Sequence, residues 1–197
     1  MKTPLRVSLA IACLGLAVIF GLLMRAGHSP DAPVPAKPDI TADFTLIDQH
    51  GRRVSSGDFA GRYMLVYFGF TFCPDICPLG LQTMSDALDR FDGTAIDPVF
   101  ITVDPERDTP EAMRDYVAHF HPRLIGLTGS PDAIAHAARG FKVFYRKVPD
   151  PDAPDDYTVD HSSIFYLMSP DGTYLAHFDH NATAETMADK LAALTSN

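Results

Sequence analysis

Basic residues are scarce in this 197-residue chain after its first 25 positions. Three of its 16 Lys and Arg residues, Lys2, Arg6 and Arg25, precede every acidic residue. The remaining 13 stand against 25 Asp and Glu, so the rest of the chain carries a net charge of −12. Such a surface repels phosphate backbones, and no cluster of Lys and Arg offsets the repulsion, so the sequence predicts no nucleic-acid partner. Cations and basic protein surfaces remain open as partners.

The sequence also lacks an internal repeat and the length for a second large domain. Its length suits one domain with accessory segments, and a hydrophobic content of 46% is ample for one core. We predict four consecutive parts, which are a cytoplasmic N-terminus at 1–6, a transmembrane anchor at 7–25, a Pro-rich linker at 26–39 and a folded domain at 40–197.

The anchor prediction rests on an apolar run without charge. Residues 7–24 approach the ~20 residues needed to cross a bilayer, and Arg25 ends the run. Two basic residues precede it, which places the N-terminus in the cytoplasm and the folded domain on the other side. Nothing here resembles the Arg- and Ser-rich presequence of a mitochondrial protein. We therefore predict a single-pass protein of a bacterial inner membrane, with its soluble domain facing the periplasm.

Two other interpretations of this segment stay open. The small residues Ala26 and Gly27 would suit cleavage of a signal peptide, although the apolar run exceeds the usual signal core of about 7–15 residues. Cys13 follows small and apolar residues, as a lipoprotein cysteine does, but cleavage there would leave a hydrophobic stub. We keep the anchor as the prediction and leave open whether the segment is cleaved.

Hydrophobic patterns in the folded part predict alternating strands and helices. Nearly continuous apolar runs at 63–70 and 99–103 are typical of strands buried on both faces. Helical spacing follows at 79–91, and a capping residue followed by proline opens further helices after Thr109 and Ser130. The remaining predicted elements are strands at 44–47 and 124–127, a hairpin of 164–168 with 174–178, and a closing helix at 183–194. This order predicts an α/β fold, a mixed sheet with helices on both faces.

The folded part contains one pair of cysteines, Cys73 and Cys77. Outside a plasma membrane such a pair is usually either bridged or used chemically. Pro74 and Pro78 disfavour helical geometry at the residues before them, which predicts a loop that holds both cysteines and a helix that starts at Pro78. Both sulfurs would then lie at a helix N-terminus, where the helix dipole favours thiolate over thiol.

The residues alone leave three roles open for this pair: a structural disulfide, a redox-active disulfide and a metal site. A disulfide across so short a loop stabilises weakly, and three intervening residues depart from the redox C-x-x-C spacing. Two thiolates select soft metals, chiefly Cu(I), although zinc also accepts them. Because a structural zinc site normally needs four protein ligands, we favour a metal site and copper as the metal.

Eight histidines compete for the place of a third ligand. Most lie where a solvated or packed role is sufficient, namely His28, His50, His119, His121 and His136. His161 directly precedes a strongly apolar strand, and His177 and His180 form a second cluster with Asp179. On position alone, a hydrogen-bonding framework role explains these residues better than metal binding does.

Several motifs together resemble one known family. They are Y-F-G-F-T at 67–71, C-P-D-x-C-P at 73–78, V-D-P-E-R-D at 103–108, L-I-G-L-T-G at 124–129 and V-D-H at 159–161. Over about residues 40 to 195 the chain resembles the Sco/SenC copper chaperones that serve cytochrome c oxidase assembly. One departure is Phe72, where many members carry a histidine.

The resemblance implies a thioredoxin-like fold and a site for Cu(I) or Cu(II) formed by Cys73, Cys77 and His161. It also implies that Asp104 and Asp108 lie near this site, where they support it or face a partner without binding copper themselves. None of the three implied ligands is affected by the departure at position 72.

The leading functional hypothesis is therefore a membrane-anchored metallochaperone rather than an enzyme. It would deliver copper to the binuclear copper site in the copper-binding subunit of cytochrome c oxidase and exchange copper with other chaperones. The alternative is a thiol–disulfide oxidoreductase, in which the same cysteine pair reduces the cysteines of that copper site. A peroxiredoxin-like or purely structural thioredoxin domain is a third possibility.

Overall fold

The structure is a computed structural model, and it describes residues 20, 38–93, 95–149 and 156–196. By its internal contacts the chain divides into two units, Met1–Asp39 and Ile40–Asn197. The predicted anchor lies outside the described residues apart from Phe20, and so does most of the predicted linker. Within the described part, no helix is both long and apolar enough to span a bilayer. The anchor remains a prediction.

The described residues of the second unit form nine strands and four α-helices. The strands are β1 (Thr45–Asp48), β2 (Arg53–Ser55), β3 (Tyr63–Gly69), β4 (Ile96–Thr102), β5 (Ile125–Thr128), β6 (Tyr145–Pro149), β7 (Tyr157–His161), β8 (Ile164–Met168) and β9 (Tyr174–Asp179). The helices are α1 (Ile76–Arg90), α2 (Pro110–Val117), α3 (Pro131–Gly140) and α4 (Ala184–Thr195), with a short 3₁₀ turn at Ser56–Phe59.

Seven of the strands form one mixed sheet in the order β2-β1-β5-β4-β3-β8-β9. The central strands β3, β4 and β5 are parallel, while β1 and β8 pair antiparallel with β5 and β3. Every residue of β3 is buried, as its continuous apolar run predicts for a strand that is covered on both faces. Helix α1 packs against α4, and α2 against β5. The predicted mixed α/β sheet is confirmed.

Local signals in the sequence set several element ends. Thr109 and Ser130 accept hydrogen bonds from backbone N–H groups at the starts of α2 and α3, so both predicted caps are confirmed. The predicted hairpin is formed by β8 and β9. Gly172 lies in its turn at a φ of +80°, a conformation that side chains with a Cβ rarely adopt.

The parallel pairing of β3 with β4 brings two loops to one edge of the sheet. Gly69 and Thr102, the last residues of these strands, lie opposite each other. The pairing continues one step further, because the N–H of Val103 donates to the carbonyl of Gly69 at 2.8 Å. The cysteine loop (residues 70–75) and the acidic loop (residues 103–109) therefore begin side by side.

Helix α1 begins two residues earlier than the sequence predicts. It starts at Ile76, so Cys77 lies in its first turn rather than in a loop, and only Cys73 is in the loop. Pro78 is tolerated there because N–H groups in the first turn have no acceptor within the helix. The N–H of Cys77 instead donates to Sγ of Cys73 at 3.4 Å. This contact explains why the helix can start before the second cysteine.

Strands β6 and β7 form a separate two-stranded sheet that the sequence analysis does not predict. Their register runs from Tyr145 opposite His161 to Pro149 opposite Tyr157. Only Val159 is buried in this ribbon, so its sequence carries no clear alternation of apolar and polar residues. His161 is the last residue of β7, and hence the ribbon (β6 with β7) positions it.

The packing of α1 can be tested at Leu81, a fully buried residue on this helix. We expect Leu81→Ala to lower the free energy of unfolding by about 2–5 kcal/mol, because it leaves a cavity in the core. Urea unfolding followed by circular dichroism measures the loss. The matched control is Gln82→Ala, which changes an exposed neighbour and should cost less than about 0.5 kcal/mol. Equal losses for the two variants would contradict this packing.

Candidate metal centre

The three ligands implied by the sequence lie together in the structure. The sulfurs of Cys73 and Cys77 and an imidazole nitrogen of His161 are all within 4.8 Å of one another. The separation between Cys77 Sγ and His161 Nε2 is 3.3 Å. In the described ranges no other group of three His, Cys, Asp or Glu side chains brings its donor atoms this close. The donors come from the cysteine loop, the first turn of α1 and the end of β7.

The spacing of these atoms fits one metal ion. Bonds of about 2.3 Å to sulfur and 2.0–2.1 Å to imidazole nitrogen, as in zinc sites, keep two ligands of one ion within roughly 4.6 Å of each other. The observed group needs only small side-chain rotations to reach this geometry. Two sulfurs and one imidazole are a soft donor set, which suits Cu(I).

The hydrogen bond on the far side of the His161 ring fixes which nitrogen can bind a metal. Nδ1 lies 3.2 Å from the carbonyl oxygen of Ser162. A carbonyl can only accept, so Nδ1 donates to it, and Nε2 is the nitrogen that faces the sulfurs and can bind a metal when it carries no proton. The ring also meets the ring of Phe70 edge to face, with centroids 5.9 Å apart. These contacts orient the imidazole as a ligand.

The two cysteines are unbridged and differ in protonation. The hydrogen bond from the Cys77 thiol, helped by His161 and opposed by burial, lowers the pKa of Cys73 to about 4. The same bond, together with burial, raises the pKa of Cys77. Cys73 is 9% exposed, whereas Cys77 is completely buried. The pair is therefore one thiolate with a small exposed fraction beside one completely buried thiol, and a metal that binds both sulfurs must displace the Cys77 proton.

Asp108 supports the cysteine loop through hydrogen bonds to Thr71. It is completely buried, and its carboxylate accepts from the backbone N–H of Thr71 at 3.0 Å and from the Thr71 hydroxyl at 2.6 Å. The hydroxyl of Thr102, at the end of β4, donates to the same carboxylate at 2.5 Å. Burial raises the pKa of Asp108. These bonds hold Thr71, two residues before Cys73, against the end of β4.

Asp104 connects the acidic loop to the ribbon. It is also completely buried, and it accepts from Nε of Arg107 at 2.5 Å and from the hydroxyl of Tyr157 at 2.7 Å. Neither Asp104 nor Asp108 belongs to the group of donor atoms. Both side chains are completely buried, so in this structure neither presents an exposed atom to a partner.

No role for Arg107 or Tyr157 was predicted from the sequence alone. Arg107 could have been found, because it stands between Asp104 and Asp108 in the V-D-P-E-R-D motif, three residues after Asp104. Tyr157 could not, since its partner lies 53 positions away. The second histidine cluster is not assembled as a donor group among the described residues, and His177 Nδ1 instead lies 2.6 Å from the hydroxyl of Tyr174.

Comparison with known proteins places this geometry in one family. The family model of SCO1/SenC matches residues 32–196. Protein sco1 of Schizosaccharomyces pombe is 45% identical over 156 residues, which cover 77% of this chain and 59% of that protein. The chain spans between 48% and 60% of the length of several such relatives.

Solved structures agree with the fold. The crystal structure of Arabidopsis thaliana ScoI with copper bound has a TM-score of 0.74 and 43% identity, and the match covers 78% of this chain and 96% of that one. BsSco, described as a Sco-family cytochrome c oxidase assembly protein with a disulfide switch, has a TM-score of 0.62, 26% identity and coverages of 82% and 98%. The thioredoxin-like, mixed α/β fold matches these structures, and the chain belongs to the SCO1/SenC family.

Proposed function

We propose that this chain is a copper metallochaperone that delivers copper to the binuclear copper site of cytochrome c oxidase. Cys73, Cys77 and His161 hold the ion as Cu(I) or Cu(II). The observation that carries the proposal is the convergence of two sulfurs and one imidazole nitrogen within 4.8 Å. Copper in the solved structure of a relative supports this choice of metal.

A site of three protein donors suits a protein that passes its metal on. Structural zinc sites are closed by four ligands, whereas Cu(I) accepts fewer. Cys77 is completely buried, while Cys73 is partly accessible and His161 is half-buried. An incoming thiolate must therefore approach the ion from the side of Cys73 and His161. The ligand exchange begins there, and Cys77 is the last to release copper.

The folded domain works on the periplasmic side of a bacterial inner membrane, to which residues 7–25 anchor it. The apolar run and the basic residues before it support this location. The copper-binding subunit of the oxidase is the recipient, and another copper chaperone is the donor. The anchor keeps the domain close to a recipient in the same membrane.

A second candidate function is the reduction of a disulfide in the recipient's copper site. The observation that favours it is the unequal cysteine pair, with a thiolate at Cys73 and a buried thiol at Cys77. The Cys73 thiolate would attack the partner's disulfide, form a mixed disulfide and release one partner thiolate. Cys77 would then lose its proton and attack Cys73, which releases the second partner thiol. The partner gains two electrons, and the pair is left as a disulfide.

His161→Ala tests the proposed copper site. We expect the reduced protein to lose more than roughly 100-fold in Cu(I) affinity, which exceeds the 10–100-fold typical of residues that only orient ligands. Competition titration against a chromogenic Cu(I) chelator measures this loss. His177→Ala is the matched control, because its ring lies outside the donor group. Binding by His161→Ala with the affinity and stoichiometry of the unsubstituted protein would refute the three-ligand proposal.

Complementation separates copper delivery from disulfide reduction. In cells that lack this protein, we expect His161→Ala to leave the oxidase without its binuclear copper. The same variant should still reduce a small disulfide in vitro, because both cysteines remain. Optical spectra of the oxidase and a thiol-release assay are the two measurements. The reductase would be favoured instead by two results together. His161→Ala would restore the oxidase in cells, and Cys77→Ser, which cannot complete the reduction, would not.

The unequal protonation of the pair predicts an unusual pH dependence of alkylation. An ordinary thiol with a pKa near 8.5 loses roughly 80-fold of its thiolate between pH 8 and pH 6. The lowered pKa of Cys73, about 4, keeps it a thiolate across this range, so its labelling rate should change less than about twofold.

Iodoacetamide labelling of the native protein, with each site assigned by fragment mass spectrometry, measures these rates. Cys77 should label last at either pH, because its thiol is buried and its pKa is raised. A simple thiol peptide is the reference. A labelling rate of Cys73 that falls in parallel with the reference peptide would show that its pKa is not lowered.

A further inference from the structure

The ribbon that carries His161 runs directly into the main sheet, because β7 ends at His161 and β8 begins at Ile164. Among the described strands, none of the seven in the main sheet pairs with β6 or β7. The end of β7 at His161 is thus fixed by the chain, whereas the start of β7 is held to the rest of the domain by side-chain contacts.

Arg107 makes the most extensive of these contacts. Its Nε donates to Asp104 at 2.5 Å, and its Nη1 donates to the backbone carbonyl of Tyr157 and to the carboxylate of Asp156, each at 3.0 Å. The Arg107 side chain is only 18% exposed, so solvent screens these interactions weakly. One guanidinium thus connects the acidic loop to the start of β7, at Asp156 and Tyr157.

The same guanidinium also reaches the cysteine loop. Its central carbon lies 3.9 Å from the ring centroid of Tyr157 and 4.6 Å from that of Phe72, the residue before Cys73. Phe72 thus offers an aromatic face to the cation. Arg107 therefore lies between the side of the site that bears the cysteines and the side that bears His161.

A second buried link closes this cluster, since the hydroxyl of Tyr157 donates to Asp104 at 2.7 Å. We call Arg107, Asp104 and Tyr157 the arginine bridge. The other ion pair between ribbon and domain, Lys147 with Glu106, has both side chains exposed by 44% and 59%, and such pairs contribute little. The arginine bridge is thus the main polar attachment of the ribbon.

We propose that Arg107 is a positioning residue that holds the histidine-bearing ribbon against the cysteine loop and so sets the rate at which copper leaves. The proposal rests on the copper function proposed above. The fork of the guanidinium lets it donate to Asp104 and to the Tyr157 carbonyl at fixed geometry, which an ammonium group cannot do. Its Nη2 is buried without a hydrogen-bond partner among the described residues, so the bridge is less strongly bonded than a fully paired guanidinium.

A double-mutant cycle with His161 tests this role. Arg107→Gln should weaken Cu(I) binding and speed its loss to a chelator by roughly tenfold or more, as expected for a group that orients a ligand. In a His161→Ala background the same substitution should change both quantities less than about twofold, because Arg107 acts through the imidazole. An equal loss in both backgrounds, or no loss in either, would overturn the proposal.

The control variant is Arg146→Gln. Arg146 lies on the same ribbon, but it pairs with Asp160 of the ribbon itself, and both side chains are more than half exposed. It should release copper at the rate of the unsubstituted protein. Arg107→Lys, which keeps the charge and loses the fork, should recover only part of the loss. Full recovery by Lys, or the same defect in Arg146→Gln, would contradict a bridge that depends on the fork of Arg107.

A measurement without copper separates this proposal from the copper function. Diethyl pyrocarbonate acylates neutral imidazole nitrogens, and Nε2 of His161 becomes more reactive when the ribbon moves it away from Cys77 Sγ, which lies 3.3 Å from it. Arg107→Gln should raise the acylation rate of His161 severalfold and leave that of His136, an exposed residue on α3, unchanged. An unchanged rate at His161, or an equal rise at both histidines, would refute positioning by Arg107. Absence of copper binding in every variant, the unsubstituted protein included, would refute only the copper function.

Discussion

The parallel pairing of β3 with β4 is the interaction on which the site depends. It sets the cysteine loop and the acidic loop side by side, so that Asp108 can bind Thr71 and fix the approach to Cys73. The fit at this edge is close. A Cβ on Gly69 would lie 2.8 Å from Sγ of Cys77 and 2.8 Å from a ring carbon of Phe100. The end of β3 therefore has to be glycine for α1 to bring its cysteine this near the sheet.

The site combines two ligands held by the core with one held from outside it. Cys77 is buried in the first turn of α1, and Cys73 is fixed by the loop that Asp108 supports. His161 belongs to a ribbon that is attached through the arginine bridge. This division suits a protein that must bind copper firmly and still release it, because one ligand can leave while the thiols retain their geometry. It also leaves a dithiol whose two sulfurs differ in protonation, which is the basis of the reductase alternative.

Sequence reasoning identified the features that depend on local residues and missed those that depend on distant contacts. The apolar run of β3 and the caps of α2 and α3 are local signals, and the structure confirms them. The earlier start of α1 depends on the sulfur of Cys73 as an acceptor, which propensities do not describe. The ribbon has too few buried residues to show a strand pattern. Arg107 donates to the carbonyl of Tyr157, which is 50 positions away in the sequence, and no local pattern indicates such a contact. The choice of His161 came from family resemblance, because its position alone favours a framework role over metal binding.

Anomalous scattering at the copper edge, from crystals of the copper-loaded protein, tests the central claim most directly. Our account predicts one copper peak about 2.3 Å from each of the two sulfurs and about 2.0–2.1 Å from Nε2 of His161, as for comparable metal–ligand bonds. A peak bound by the sulfurs alone, with the imidazole turned away from the ion, would contradict it.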